Sequence, residues 1–139
     1  MESDAAMAKK LEELRYLGVC IALDDFGRGH SSLSRLQDFP ISTIKIDRLF
    51  VEQICSDRRQ ILDAIVALAH ELNLRVIAEG VETWRQLRYL RERGPALAQG
   101  FFFSEALPEE KAFQFLTAKR SWNNDPAPES MEPHVSRET

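Results

Sequence analysis

The chain has 139 residues, with 22 acidic against 18 basic side chains and a formal net charge of −4. Apolar residues make up 44% of it and charged residues 29%, a composition typical of a globular domain and not of a disordered chain. The mild acidity argues against a DNA or RNA polymer as partner, and no apolar run approaches the roughly 20 residues of a membrane span. The length allows one domain with a core of its own.

The first predicted elements are a helix over about Ala5–Leu17, which ends at Gly18, and a set of strands. Four short apolar runs indicate these strands: Val19–Leu23, Ser42–Ile46, Leu74–Ala78 and Ala96–Phe103. The first and third runs are nearly continuous and contain β-branched residues, as do strands of a parallel sheet that is buried on both faces.

A helix is predicted between the second and third strands. Apolar residues repeat there at helical spacing, namely Ile61, Ile65, Leu68 and Leu72. Asp57 and Gln60 are placed as a capping pair for this helix, and Asn73 is placed to stop it.

Two further helices follow the third and fourth strands. Thr83 and Gln86 form a second capping pair, and Gly94 stands past the end of the helix that they open. Pro108 opens a last helix, which carries Phe113 and Leu116. Strands that alternate with helices of this length imply right-handed crossovers and a parallel sheet, so the predicted fold class is α/β.

The composition of the C-terminal segment predicts the extent of the domain, and the two cysteines predict its cellular compartment. The segment Ser121–Thr139 holds three of the six prolines and four acids against one base, so we predict a folded domain over 1–119 and a disordered tail over 120–139. Cys20 and Cys55 have no metal-type or redox-type spacing and are predicted to be buried thiols of a reduced, cytoplasmic protein.

Polar side chains stand at or after the end of each predicted strand: Asp24 and Asp25, then Lys45 and Asp47, then Glu79 and Glu82, and finally Gln99. The carboxyl ends of parallel strands meet at one edge of a sheet, where the active sites of such folds lie. Carboxylate and amide oxygens are hard ligands, which suit Mg²⁺ or Mn²⁺; a zinc site would be expected to use histidine and cysteine.

Each of these short motifs also has an ordinary structural interpretation when it is taken alone. Asp24-Asp25 before Phe-Gly is typical of a turn or a helix cap, and Glu79-Gly80 or Gln99-Gly100 is typical of a plain strand exit. Lys45 is equally typical of an edge strand. The occurrence of all four motifs at successive strand ends favours a single site.

At this point the sequence resembles the C-terminal half of the EAL family of cyclic-di-GMP phosphodiesterases. Four stretches carry the resemblance, in the family's order and spacing: DDFGRGHSSLSRL (Asp24–Leu36), IKIDRLFV (Ile44–Val51), IVALAHELNLRVIAEGVET (Ile65–Thr83) and QGFFFSEALP (Gln99–Pro108). The resemblance implies a TIM-like (β/α)₈ barrel, of which this chain supplies about four parallel strands with flanking helices. It also implies hydrolysis of one phosphodiester of cyclic-di-GMP to linear pGpG.

The resemblance also implies a role for each polar residue at the strand ends. Asp24 and Asp25 match metal ligands, Lys45 matches the residue that orients the attacking water, and Glu79 matches a metal ligand or general base. The remaining matches are supporting or substrate-binding positions: Asp47, Glu82, Gln99, and the loop glycines Gly27 and Gly29. In the family two Mg²⁺ or Mn²⁺ ions act together, and such pairs lie about 3.5–4 Å apart and activate a bridging water.

The chain also departs from the family pattern. Arg28 replaces a usual small residue, His30 replaces a usual tyrosine, and Glu105-Ala106 replaces a common basic-proline pair, which weakens the expected contact with an anionic dinucleotide. The namesake Glu-Ala-Leu motif, the upstream asparagine and the first carboxylate of an upstream Glu-x-x-Glu motif are expected to be absent. Glu2 is placed at the second carboxylate of that upstream motif.

A full barrel needs roughly 250 residues, so this chain is predicted to be half of one. Half a barrel leaves two unpaired sheet edges, so we expect a homodimer or pairing with a missing N-terminal half. A truncated EAL domain, inactive alone, is the leading interpretation. The alternatives are a catalytically silent module that binds a nucleotide or a protein, and a fragment without function.

Overall fold

The computed structural model describes residues 2–27, 32–94 and 97–118, with side chains for all of these except residues 2, 3, 32 and 33. The elements within these ranges are, in chain order: α1 (Glu2–Tyr16), β1 (Ala22–Phe26), α2 (Ser32–Asp38), β2 (Thr43–Ile46), α3 (Arg48–Glu52), a 3₁₀ turn (Gln53–Cys55), α4 (Arg59–Glu71), β3 (Arg75–Ala78), α5 (Trp84–Arg93), β4 (Leu97–Ala98) and α6 (Glu109–Thr117). The predicted tail lies outside the described residues.

The four strands form one parallel sheet in the order β1-β2-β3-β4. Each strand is joined to the next through at least one helix, as parallel pairing requires. The predicted α/β class and the four parallel strands are therefore confirmed.

The core lies between one face of this sheet and the helices α3 to α5. Alternate residues of a strand point to opposite faces, so Ile44 and Ile46 of β2 are fully buried on the core side while Lys45 between them is only partly buried. The buried apolar cluster comprises Phe26, Ile44, Ile46, Val51, Ile54, Leu62, Ile65, Val66, Ala69, Val76, Ala78, Val81, Leu87 and Leu90. The opposite face carries the polar side chains at the strand ends.

Local signals at α5 are confirmed, whereas one at α4 is wrong. Thr83 and Gln86 form a complete capping box, and Gly94 ends α5 with a φ of 93°. The predicted cap by Asp57 and Gln60 is not formed, because the hydroxyl of Ser56 accepts a hydrogen bond from the Arg58 N–H and α4 begins only at Arg59, without a side-chain cap.

Two other predictions at the level of segments are corrected. The run Ala96–Phe103 gives a strand of only two described residues, because Gly100 adopts a φ of 155° and the chain turns there. Cys20 and Cys55 are exposed and not buried. Cys20 precedes the edge strand β1, and Cys55 lies at the end of the surface 3₁₀ turn.

A polar contact joins α4 to α5. The Tyr89 hydroxyl donates to both carboxylate oxygens of Asp63, at 2.8 and 2.9 Å, and the Arg93 Nε donates to the same carboxylate at 3.1 Å. The pKa of Tyr89 is raised, mainly because the phenol is partly buried and secondly because it donates a hydrogen bond to Asp63. The neutral phenol is therefore the form that stabilises the folded chain.

Replacement of Tyr89 by Phe is expected to lower the free energy of unfolding by about 1 kcal/mol, because one hydrogen bond to a carboxylate is lost. Because the pKa of Tyr89 is raised, the free energy of unfolding also depends on pH. The stabilisation by the Tyr89 hydroxyl is complete below pH 10.0, the ordinary pKa of the group, and is lost as the pH rises through the pKa of Tyr89 in the folded chain. Urea unfolding at neutral and alkaline pH measures both effects. Tyr16→Phe is the matched control, since Tyr16 is 92% exposed; an equal loss in both variants contradicts the assignment.

Candidate metal and catalytic site

A bulge in β1 places the two aspartates of the site. β1 pairs with β2 through Leu23↔Ile44 and then Phe26↔Ile46, so β1 has one more residue than β2 between these pairs. Asp25 has a φ of 53°, in the left-handed region. The aspartates thus lie within β1 and not beyond its end, and the bulge interrupts the alternation that would point adjacent side chains to opposite faces.

Lys45 of β2 joins the ends of β1 and β3. Its ammonium group lies 3.0 Å from Asp24 Oδ1 and 2.5 Å from Glu79 Oε1. The side chains of Lys45 and Glu79 are 25% and 18% exposed, whereas that of Asp24 is 63% exposed. Lys45 is therefore held mainly by the less exposed Glu79, with Asp24 on the solvent side.

The charges of this group reinforce one another. The hydrogen bonds to Glu79 and then to Asp24 raise the pKa of Lys45, and the hydrogen bond from Lys45 lowers the pKa of Asp24. A positive Lys45 and an ionised Asp24 are thus the favoured forms near neutral pH.

Gln99, which directly follows β4, completes the group. Its amide nitrogen donates to Glu79 Oε1 at 3.0 Å, the same oxygen that contacts Lys45. The Gln99 N–H also donates to the carbonyl of Ala78, which fixes the backbone on which this side chain stands. The structure therefore brings four of the predicted residues into one connected set: Asp24, Lys45, Glu79 and Gln99.

The other predicted residues have different positions. Asp47 is buried, and its carboxylate accepts a hydrogen bond from Leu49 N at 2.8 Å as the N-cap of α3. Glu82 is exposed, and its backbone N–H donates to the Gln86 side chain. Asp25 is exposed beside Asp24. Gly29, with Arg28 and His30, lies outside the described residues.

A cavity of about 360 Å³ adjoins this set at the carboxyl ends of β3 and β4. Its lining residues are Arg48, Gly80, Glu82, Gln99, Gly100, Phe101, Ser104, Glu105 and Ala106. No sequence motif marks Arg48 or Ser104 as a lining residue, although Arg48 directly follows Asp47. The cavity is of a size that small-molecule sites have.

Gly100 shows why a residue without a side chain follows Gln99. A Cβ atom at Gly100 would overlap the backbone of Val81. That close approach results from backbone hydrogen bonds, since Val81 N–H donates to Gln99 O at 3.0 Å and Phe102 N–H donates to Val81 O at 2.9 Å. The position of Gln99 therefore depends on the absence of a side chain at residue 100.

The donor chemistry of the site fits a hard divalent cation, since Asp24, Asp25 and Glu79 offer carboxylate oxygens. Within the described parts of the chain, however, no three or more His, Cys, Asp or Glu side chains are grouped closely enough to hold a metal ion. Lys45 lies between Asp24 and Glu79 and balances part of their charge.

The chain does contain a Glu-Ala-Leu tripeptide, Glu105-Ala106-Leu107, so the expectation that this tripeptide is absent is wrong. It lies in the connection between β4 and α6, after Ser104, and Glu105 and Ala106 border the cavity. This is not the upstream place where the family pattern has its namesake motif.

Comparison with known proteins agrees with this architecture. The EAL domain model matches residues 1–106. The cyclic di-GMP phosphodiesterase NbdA of Pseudomonas aeruginosa is 47% identical over 112 residues, which are 79% of this chain and 14% of NbdA. The EAL domain of Mycobacterium smegmatis DcpA superposes with a TM-score of 0.80 at 37% identity, over 85% of this chain and 54% of that one.

The strands, the polar set at their ends and these matches define the class: the chain belongs to the EAL domain family, which is related to cyclic-di-GMP phosphodiesterases. It spans only about 14% of the length of NbdA and about half of the DcpA domain. Klebsiella pneumoniae BlrP1, in a structure described as a complex with manganese and cyclic-di-GMP, is 39% identical with a TM-score of 0.63, over 70% of this chain and 25% of BlrP1. No helix in the described ranges has the length and apolar character needed to cross a bilayer.

Gly100→Ala is expected to lower the free energy of unfolding by about 3 kcal/mol or more, because the new Cβ collides with the Val81 backbone. Gly18→Ala is the matched control, since Gly18 also has a positive φ, of 86°, but has nothing within 4 Å of its Cβ position. That control is expected to cost about 1 kcal/mol through backbone strain alone. Denaturant unfolding compares the two; equal losses would contradict the close approach at Val81.

Proposed function

We propose that this chain carries the C-terminal part of a metal-dependent phosphodiesterase site whose substrate is cyclic-di-GMP. The single observation that supports this proposal best is the connected set Asp24, Lys45, Glu79 and Gln99, at the carboxyl ends of four adjacent parallel strands. These residues match the family's functional positions, and the related phosphodiesterases act on cyclic-di-GMP by name.

In the proposed reaction, water adds to one phosphodiester of cyclic-di-GMP and a P–O bond breaks, which gives linear pGpG. Lys45 orients the attacking water and offsets negative charge that develops on the phosphoryl oxygens. Glu79, held by Lys45 and Gln99, is the carboxylate placed to accept the proton that the water loses. Asp47 and Glu82 support the site from α3 and from the cavity rim.

The proposed cofactor is Mg²⁺ or Mn²⁺, held by Asp24, Asp25 and Glu79. Divalent ions of this kind lower the pKa of a bound water and stabilise charge at phosphorus. Carboxylate oxygens are the donors that such an ion prefers, and the manganese complex of BlrP1 supports a metal of this type in the family. The loop glycines Gly27 and Gly29 are proposed to let the chain pass close beside the ligands.

The proposed domain covers 1–119 and is followed by a tail over 120–139. The sheet has two outer strands, β1 and β4, each with one unpaired edge among the described elements. We propose that a second copy of the chain or the N-terminal half of an EAL barrel pairs with these edges, in the cytoplasm.

A catalytically silent module that binds a nucleotide or a protein is the second candidate function. The observation that favours it is Glu105 on the rim of the cavity, where the family pattern has a basic residue. A carboxylate at this position repels the phosphates of a dinucleotide, so within this candidate the observation favours a protein partner over a nucleotide.

Millimolar Mn²⁺ or Mg²⁺ is expected to raise the melting temperature of the chain in a concentration-dependent way, since a ligand that binds only the folded state stabilises it. The double variant Asp24→Asn and Asp25→Asn should lose this response. Thermal unfolding at several metal concentrations measures the effect, with Asp38→Asn on α2 as the control variant that keeps it. The metal assignment is contradicted if Mn²⁺ does not change the melting temperature, or if Mn²⁺ raises the melting temperature of the double variant as much as that of the original chain.

The purified chain is expected to show no appreciable hydrolysis of cyclic-di-GMP with Mn²⁺, because the ligands of the upstream half are needed to hold and activate the water. Chromatographic detection of pGpG measures this. Glu79→Gln is the paired control, which removes the carboxylate but keeps the shape of the side chain. Turnover that Glu79→Gln abolishes would show that the chain is active without the other half.

A further inference from the structure

We infer that α3 is a steric spacer between the turn that follows β1 and the turn that follows Glu79, with Phe50 as its positioning residue and the Cβ of Arg48 as its second point of contact. α3 directly follows β2, the strand between β1 and β3. It therefore lies between the turn after the aspartates of β1 and the turn after Glu79. The catalytic meaning of this inference rests on the proposed function, whereas the contacts themselves do not.

Phe50 contacts the first turn. Gly27 follows β1 with a φ of 99°, and a Cβ atom at this position would overlap the ring of Phe50. The ring is half-buried and packs against the apolar core. The backbone at Gly27 therefore packs directly on an aromatic ring, and this ring could move away only by disrupting the core.

Arg48 contacts the second turn in the same manner. Gly80 follows Glu79 with a φ of 71°, and a Cβ atom at this position would overlap the Cβ of Arg48, while the Arg48 Cα would lie only 3.3 Å away. The contact involves the base of the Arg48 side chain. The guanidinium group lies elsewhere, in an exposed ion pair with Glu52 at 2.8 Å.

The position of α3 is itself fixed by the strand that carries Lys45. Asp47, two residues after Lys45, is buried and caps α3 through Leu49 N. Lys45 attracts Asp24 and Glu79, and α3 supports the backbone of the two turns next to these residues. The two effects together set the positions of the carboxylates around Lys45.

The test observes the Lys45 ammonium group itself by ¹H–¹⁵N NMR of the full chain at low temperature and mildly acidic pH. An ammonium that contacts two carboxylates exchanges its protons slowly with water and gives a resolved signal. Phe50→Ala, and the milder Phe50→Leu if the first variant does not fold, are expected to reduce this signal at least severalfold, because the turn at Gly27 loses its support.

Two control variants separate positioning from general destabilisation. Arg48→Ala removes the guanidinium group but keeps the Cβ that contacts Gly80, so the signal is expected to persist. Leu90→Ala creates a cavity in the core at α5 and lowers stability, and the signal is again expected to persist in the folded protein.

Wild-type signal intensity in both Phe50 variants overturns the inference, as does an equal loss in Leu90→Ala or in Arg48→Ala. This readout uses neither metal nor nucleotide, so it decides the role of α3 even if the chain does not bind cyclic-di-GMP. Conversely, failure of the metal response with a normal Phe50 effect would refute the proposed function alone.

Discussion

The contact of one ammonium group with two carboxylates organises this molecule. Lys45 lies between Asp24 and Glu79, and these three residues come from three adjacent strands. Lys45 therefore lies between the carboxylates of two strands that flank its own, and its charge favours their close approach. Carboxylate oxygens are also the ligands that a divalent cation would require.

The backbone around this contact is closely packed. Gly27, Gly80 and Gly100, which follow β1, β3 and β4, have no space for a Cβ atom. α3 occupies the gap between two of these turns, and the Val81 backbone occupies the third. The site therefore combines electrostatic attraction with hard contacts, and neither alone would define its geometry. A rigid backbone below the polar groups is what a preorganised site needs.

The sheet itself is asymmetric. One face is sealed by α3 to α5 over a continuous apolar core, whereas the other carries the polar set and exposed residues such as Leu97. This chain spans about half of the structurally similar DcpA domain. In a closed barrel the second face would become the interior, so the polar set lies where a complementary half would enclose it. Enclosure would strengthen every charge interaction described for Lys45.

The sequence by itself determined the class of fold and the capping box at Thr83 and Gln86, because periodicity and caps are local properties of the chain. It also predicted that Asp24, Lys45, Glu79 and Gln99 lie close together, because each stands at the end of a predicted strand. Only the tertiary structure decided that Asp24 and Asp25 lie in a bulge within β1, since a bulge depends on the register with β2. It also decided that Cys20 is exposed and that the last apolar run is almost entirely a turn, because burial and strand length depend on neighbours distant in sequence. The contact between Phe50 and Gly27 could not be predicted from the sequence for the same reason, because these residues meet only after folding.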